Sequence, residues 1–239
     1  MSTKNFSNMI ITIFFILTII ALSSCSFFRP SVSKNNINFL IAPYESNLGK
    51  SGQLLLVIEN SNIFFTKRIV YALEKRSGIW QMAFEPFYAV VGKNGFAPPG
   101  EKREGDGKTP SGIFALRKTF GYAPSAITKM PYRQALEDDL WIDDPNSTDY
   151  NRWVKASKTS AKSYEKMKRD DDLYKYGIVI EYNNNPVIKG YGSAIFFHVW
   201  GGEDVTTEGC VAVSEENIIK ILTWLDPKSL PLIIMGIKN

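Results

Sequence analysis

The 239-residue chain contains a single histidine, His198, and only two cysteines, Cys25 and Cys210. A catalytic zinc needs three protein ligands, so one Cys and one His would have to recruit carboxylates, and no metal site is expected. A structural disulfide is equally unsupported, because Cys25 closes a hydrophobic leader and leaves Cys210 alone in the rest of the chain. There are no internal repeats and no low-complexity tracts. The chain also lacks any long block of one charge sign: 28 basic and 24 acidic residues are interspersed, giving a net charge of +4. Such a mixed surface does not make a nucleic-acid patch. The acid groups Asp138/Asp139, Asp143/Asp144 and Asp170 to Asp172 lack calcium-loop spacing and are expected to be solvated.

A nucleotide site is excluded as well. Gly107-Lys108-Thr109 looks like the end of a phosphate-binding loop, but position 102 is Lys where that motif needs Gly. Pro110 then follows Thr109, where the phosphate-binding helix should continue. A long polar loop feeding a strand at Gly112 is the better reading. No cofactor is implied.

The N-terminus reads as an address. Lys4 is the only charge before Arg29, and Met9 to Ala21 is almost wholly apolar but short for a membrane span. Small residues close the stretch, so residues 1–24 are expected to be an export signal. Leu22-Ser23-Ser24-Cys25 resembles the bacterial lipobox, which implies cleavage before Cys25 and a diacylglycerol on it. The mature chain would then be held to a membrane through that lipid, facing the periplasm or cell wall. Ser26 in place of Asp favours the outer membrane where two membranes are present. Residues 25–51, rich in Ser, Asn, Lys and Pro, are expected to be a tether.

Residues 52–239 carry the signals of a folded, mainly β domain. Short apolar runs recur between turn residues: Leu54 to Glu59, Ile69 to Glu74, Trp80 to Phe84 and Phe87 to Val91. Gly112 to Lys118, Tyr176 to Tyr182, Ile195 to Trp200 and Pro231 to Met235 continue the series. One helix is expected after Cys210. Ser214 caps it, Glu215 and Glu216 complement its dipole, and Ile218, Ile219, Ile221, Leu222 and Leu225 are expected to form its apolar face. Residues 120–172 are the least regular, with a short helix expected over Ser160 to Met167. An insertion of this length suits the wall or lid of a cleft. Within it Arg152, beside Tyr150 and Trp153, offers a cation to a carboxylate or a sugar, although surface packing explains it more simply.

The chemistry concentrates in Ala194 to Val213, which holds His198 on an apolar strand and Cys210 after a Gly/Asp/Thr-rich turn. An imidazole beside a thiol makes a nucleophile at neutral pH. An inert buried cysteine is the competing reading. Gly209 lets the backbone turn tightly at Cys210, and the amides there face a developing oxyanion in the catalytic reading. The thiol pKa is then expected below the ~8.5 of free cysteine.

His198 with Thr207-Glu208-Gly209-Cys210-Val211 resembles the signature of the L,D-transpeptidase (YkuD-type) catalytic domain family. Thr109-Pro110-Ser111-Gly112-Ile113-Phe114 is similar to the upstream strand entry of that family, and the resemblance runs from about Gln53 to Ile237. It implies a β-sandwich-like fold with a few helices, one immediately after the nucleophile. It also implies action on peptidoglycan stem peptides. By the resemblance Cys210 becomes the nucleophile, His198 its base, Gly209 and the Cys210 amide the oxyanion site and Thr207 the Ser/Thr motif position; Arg152 and Trp200 are separate candidates for substrate binding, read from this chain's own residues. Glu208 stands where the common motif has a second His, and Ala212 where it has Arg. The His-to-Cys spacing is also shorter, so the chain reads as a divergent branch. The reaction implied is acylation on a tetrapeptide stem, release of D-alanine and transfer to an amine. The alternatives are a carboxypeptidase or hydrolase of the same fold, and a non-catalytic wall-binding lipoprotein.

Overall fold

A computed structural model describes residues 34–59 and 67–238. The expected export signal and lipidated Cys25 lie outside the described residues. Among those described, no helix is long and apolar enough to cross a membrane.

The segment expected as a tether is folded from Lys34 onward. Helix α1 (Lys34–Ile41) runs into a 3-10 turn (Ala42–Asn47). Ile37, Leu40 and Ile41 fall at helical spacing and are all buried. They pack with Leu48 against one face of β1 (Gln53–Glu59). Its Ser/Asn/Lys-rich composition hid a three-residue apolar face that only a partner surface reveals.

The strands follow in chain order. β2 (Arg68–Arg76), β3 (Ile79–Met82) and β4 (Phe87–Val90) complete the first meander. The short pair β5 (Phe96–Ala97) and β6 (Thr109–Pro110) brackets the polar loop, and β7 (Gly112–Gly121) leaves it. β8 (Tyr132–Gln134), β9 (Asp139–Ile142), β10 (Trp153–Lys155) and β11 (Tyr164–Lys166) lie within the insertion. β12 (Tyr176–Ile180), β13 (Phe196–Val199), β14 (Val211–Val213), helix α2 (Glu215–Trp224) and β15 (Leu232–Lys238) complete the domain. The chain is therefore mainly β, as expected from its short apolar runs. One strand, β14, stands between Cys210 and the capped helix.

The principal sheet runs β1-β15-β7-β12-β13-β14-β4-β2-β3, and β1 also pairs with β2, so eight strands form a closed ring. Alternation along β1 explains two apolar layers. Leu55 and Val57 face the core that α2 covers with Ile218, Ile221 and Leu222. Leu54, Leu56 and Ile58 face the layer that α1 covers. A strand buried on both faces has to be continuously apolar, and Leu54 to Ile58 is.

The insertion is more regular than its sequence suggests. β10, β9 and β11 form a separate three-stranded sheet. Tyr164 to Lys166, expected to be helical, pairs with Ile142 to Leu140 instead. Met167, at its end, is fully buried beside Phe120 and Phe196. Tertiary pairing overrides a helix-favouring composition here. Two of the acids expected to be solvated are buried. Asp139 accepts from Arg133 Nη2 at 2.7 Å and from the Leu136 amide at 2.9 Å. Asp144 accepts from the amides of Asn146 and Lys162, both at 2.9 Å, tying a turn to the start of β11. Buried carboxylates survive only with such partners.

Candidate active site

β13 and β14 run parallel as neighbours, in a register that sets His198 opposite Ala212. Cys210 immediately precedes β14. The histidine and the cysteine open on one cavity of 430 Å³. Trp200, Thr207 and Gly209 line it too.

The turn before Cys210 is held by two threonines from distant stretches. Thr207 Oγ1 donates to the Cys210 carbonyl at 2.7 Å and accepts from the Gly209 amide at 3.2 Å. Thr109 Oγ1 donates to the same carbonyl at 3.3 Å and accepts from the Gly92 amide at 2.9 Å. The two sequence motifs thus meet on one oxygen. Gly92 permits this approach, because a Cβ there would stand 2.5 Å from the Gly107 carbonyl. Gly209 has φ +153°, and a Cβ on it would stand 3.0 Å from the Lys108 carbonyl. Its amide, expected at the oxyanion position, is directed to Thr207 Oγ1 in the resting site.

The thiol and the imidazole are each held by backbone. Cys210 Sγ donates to the Ala194 carbonyl at 3.2 Å and accepts from the Phe196 amide at 3.3 Å. His198 Nδ1 lies 2.7 Å from the Val199 carbonyl and carries a proton toward it, and the Leu173 carbonyl also hydrogen-bonds the ring. Tyr174 packs edge-to-face against the imidazole, and Arg169 lies over the Tyr174 ring. Burial pushes the Cys210 thiol up to about 12, the Phe196 amide only partly opposing it. Burial also lowers His198 to about 4, against the pull of the Val199 carbonyl. The expectation of a low-pKa thiol is corrected by desolvation. At rest the thiol and the imidazole that line this cavity are both neutral.

The family model for the L,D-transpeptidase catalytic domain, YkuD, matches residues 54–234. The chain belongs to that family. No curated protein and no solved structure matches it.

This L,D-transpeptidase-family domain builds much of its cavity from residues the motifs do not contain. Lys102 and Glu104 arrive on the polar loop between β5 and β6; Asp143, Glu165 and Arg169 arrive on the insertion, which does form a wall. Lys102 is buried, with Nζ 2.6 Å from Asp106 Oδ1 and 2.7 Å from the Arg103 carbonyl. Arg169 grips Asp171 through Nε and Nη2, and its Nη1 reaches Glu165 Oε2 at 3.2 Å. Loop length and polarity hinted at these stretches, but nothing local singled out the residues. Arg152 is not among the cavity's residues. It is exposed and belongs to a different cavity, with Trp153 and Tyr182. Tyr150 turns away from Arg152 into the protein, donating its hydroxyl to Glu104.

Proposed function

We propose that this chain is a peptidoglycan L,D-transpeptidase with Cys210 as nucleophile and His198 as base. One observation carries the reading: in a domain of this family, its sole histidine and its sole described cysteine open onto one cavity. The thiol attacks the carbonyl of the third residue of a tetrapeptide stem. Its proton passes to His198 as the sulfur–carbon bond forms, because burial disfavours a separate ion pair beforehand. His198 then protonates the departing nitrogen of D-alanine, leaving a thioester on Cys210. An amine on a second stem attacks the thioester while His198 takes its proton, which forms the cross-link and regenerates the thiol. Thr109 and Thr207 hold the Cys210 carbonyl so that its own amide faces the developing oxyanion.

The setting proposed is an exported lipoprotein, anchored through Cys25 and facing the periplasm or cell wall. The outer membrane is its place in a cell with two membranes.

The first experiment is the intact mass of the protein after incubation with a carbapenem, beside Cys210→Ala and His198→Ala. An adduct on the parent that is absent in the first variant and slowed in the second supports the reading. The burial of the thiol favours one rival, a wall-binding lipoprotein without turnover. No adduct, together with persistent muropeptide binding in Cys210→Ala, would decide for that rival.

A further inference from the structure

The stretch that enters β13 is tied down residue by residue. The Gly192 amide donates to the Tyr150 hydroxyl at 3.0 Å, and Ser193 Oγ donates to Glu104 Oε2 at 2.7 Å. The Ala194 amide donates to Asn151 Oδ1 at 3.2 Å. Tyr150, Asn151 and Ser193 are all buried. Two neighbouring residues of the insertion thus fix the backbone on which the thiol rests.

Ala194 is the unusual member of that backbone. Its φ is +52°, a left-handed conformation that crowds the Cβ of any residue but glycine. Such a conformation persists only where its surroundings over-determine it. Here Asn151 holds the amide, and the carbonyl accepts the Cys210 thiol at 3.2 Å. Asn151 is in turn fixed in orientation. The Trp141 indole donates to its Oδ1 at 2.8 Å. Its Nδ2 donates to the carbonyls of Tyr182 and Asn183, at 3.1 and 2.7 Å.

The Ala194 contact bears on the proton. A carbonyl that accepts from S–H stabilises the neutral thiol and disfavours the thiolate. The S–H···O bond has to break before that proton can move to His198. The Phe196 amide, 3.3 Å from Sγ, still holds the sulfur when it does.

We propose that Asn151 is a positioning residue for Cys210: through Ala194 it sets a carbonyl on the thiol proton and keeps the nucleophile protonated at rest. The inference rests on the transpeptidase reading and adds a control on its first step. In that step the proton leaves the Ala194 carbonyl for His198 as the sulfur–carbon bond forms, with no change of oxidation state.

The test is the infrared S–H stretching band of the full chain, taken as a difference against Cys210→Ala so that Cys25 cancels. Donation to a carbonyl lowers that frequency, and the bulk spectrum is blind to rare unfolded molecules. The parent band is expected below the position of a free thiol. Asn151→Ala frees Ala194 to leave its left-handed conformation, and the band should rise. Ala194→Val, whose β-branched side chain opposes that conformation while Asn151 is intact, should raise it too. Ala194→Gly accepts the conformation and should leave the band in place. Alkylation by iodoacetamide at a fixed pH should quicken about three- to tenfold in Asn151→Ala, the size of one neutral hydrogen bond, and stay unchanged in Ala194→Gly. A parent band at the free-thiol position overturns the proposal without any variant. A band unmoved in a folded Asn151→Ala overturns it as well. The carbapenem adduct, read on the same preparations, keeps the two readings apart. An adduct with an unmoved band removes Asn151 from the account and leaves the transpeptidase reading standing. Band shifts as expected with no adduct on the parent do the reverse.

Discussion

The Tyr174 ring stands edge-to-face against the His198 imidazole, with centroids 5.1 Å apart and planes at 74°. The tyrosine follows the insertion and the histidine lies on β13, so this contact joins the end of the cavity wall to the candidate base. Tyr174 is buried among Phe120, Phe196 and Cys210, and its hydroxyl lies 3.4 Å from Glu165 Oε2.

Tyr174→Ala should therefore cost about 3–5 kcal/mol of stability, as removal of a large buried ring does. Tyr174→Phe should cost less than about 1 kcal/mol, since only a long hydrogen bond is lost. Thermal or urea unfolding reads both. Turnover in Tyr174→Phe should stay near the parent, while equal losses in the two variants would assign the effect to the hydroxyl.

The resting thiol should be unreactive across neutral pH. With Cys210 near 12 and His198 near 4, iodoacetamide alkylation should be slow at neutral pH and climb about tenfold per pH unit with no plateau below about 12. A preformed thiolate–imidazolium pair would instead give a plateau through neutrality. The pH dependence of the alkylation rate distinguishes the two.

Both shifts also predict how stability follows pH. His198 falls from 6.5 to about 4 on folding, so the unfolded chain binds the extra proton between these values. This contribution is complete above pH 6.5 and is lost as pH falls toward 4. Cys210 rises from 9.0 to about 12, so its contribution is lost as pH climbs above 9.0. Urea midpoints measured across pH should fall at both ends. His198→Gln should flatten the acid limb and Cys210→Ser the alkaline one.

Gly209→Ala should lower activity more than it lowers stability. The added Cβ meets the Lys108 carbonyl at 3.0 Å on a backbone at φ +153°, a strain of about 1–3 kcal/mol. The turn must shift, and with it the Cys210 carbonyl that Thr109 and Thr207 hold. Thr207→Val, which keeps the shape and loses both hydrogen bonds, should cost about 1–3 kcal/mol. Unfolding curves and the carbapenem adduct rate check the pair.

Asp139→Ala should loosen the insertion without touching the cavity. It leaves the solvent-accessible Arg133 and Lys155 without this carboxylate and the Leu136 amide without its acceptor, a loss of about 1–3 kcal/mol. Limited proteolysis should then cut within residues 120–172 first. Uniform cleavage over the whole domain would show that the small sheet does not unfold separately.

Several of these features are legible in the chain itself. Strands β1, β7, β12 and β15 are short apolar runs between turn residues, and α2 carries a cap, an acidic first turn and an apolar face. Such signals are local, so they survive without the fold. α1 and β11 are not legible in this way. The buried face of α1 and the pairing of Tyr164 to Lys166 exist only where another strand or layer receives them.

The sequence alone determined that any histidine chemistry must use His198, because the chain has no other histidine. It also determined that Thr109 and Thr207 belong to motifs flanking a mainly β domain. Only the tertiary structure decided that both hydroxyls converge on the Cys210 carbonyl, from positions 101 and 3 residues away. It alone decided that the thiol rests protonated, that Arg152 lies away from the cavity and that Asp143 lines it. Composition specifies which groups can ionise or donate. Burial decides their protonation and their partners, and burial arises from contacts between residues far apart in the chain.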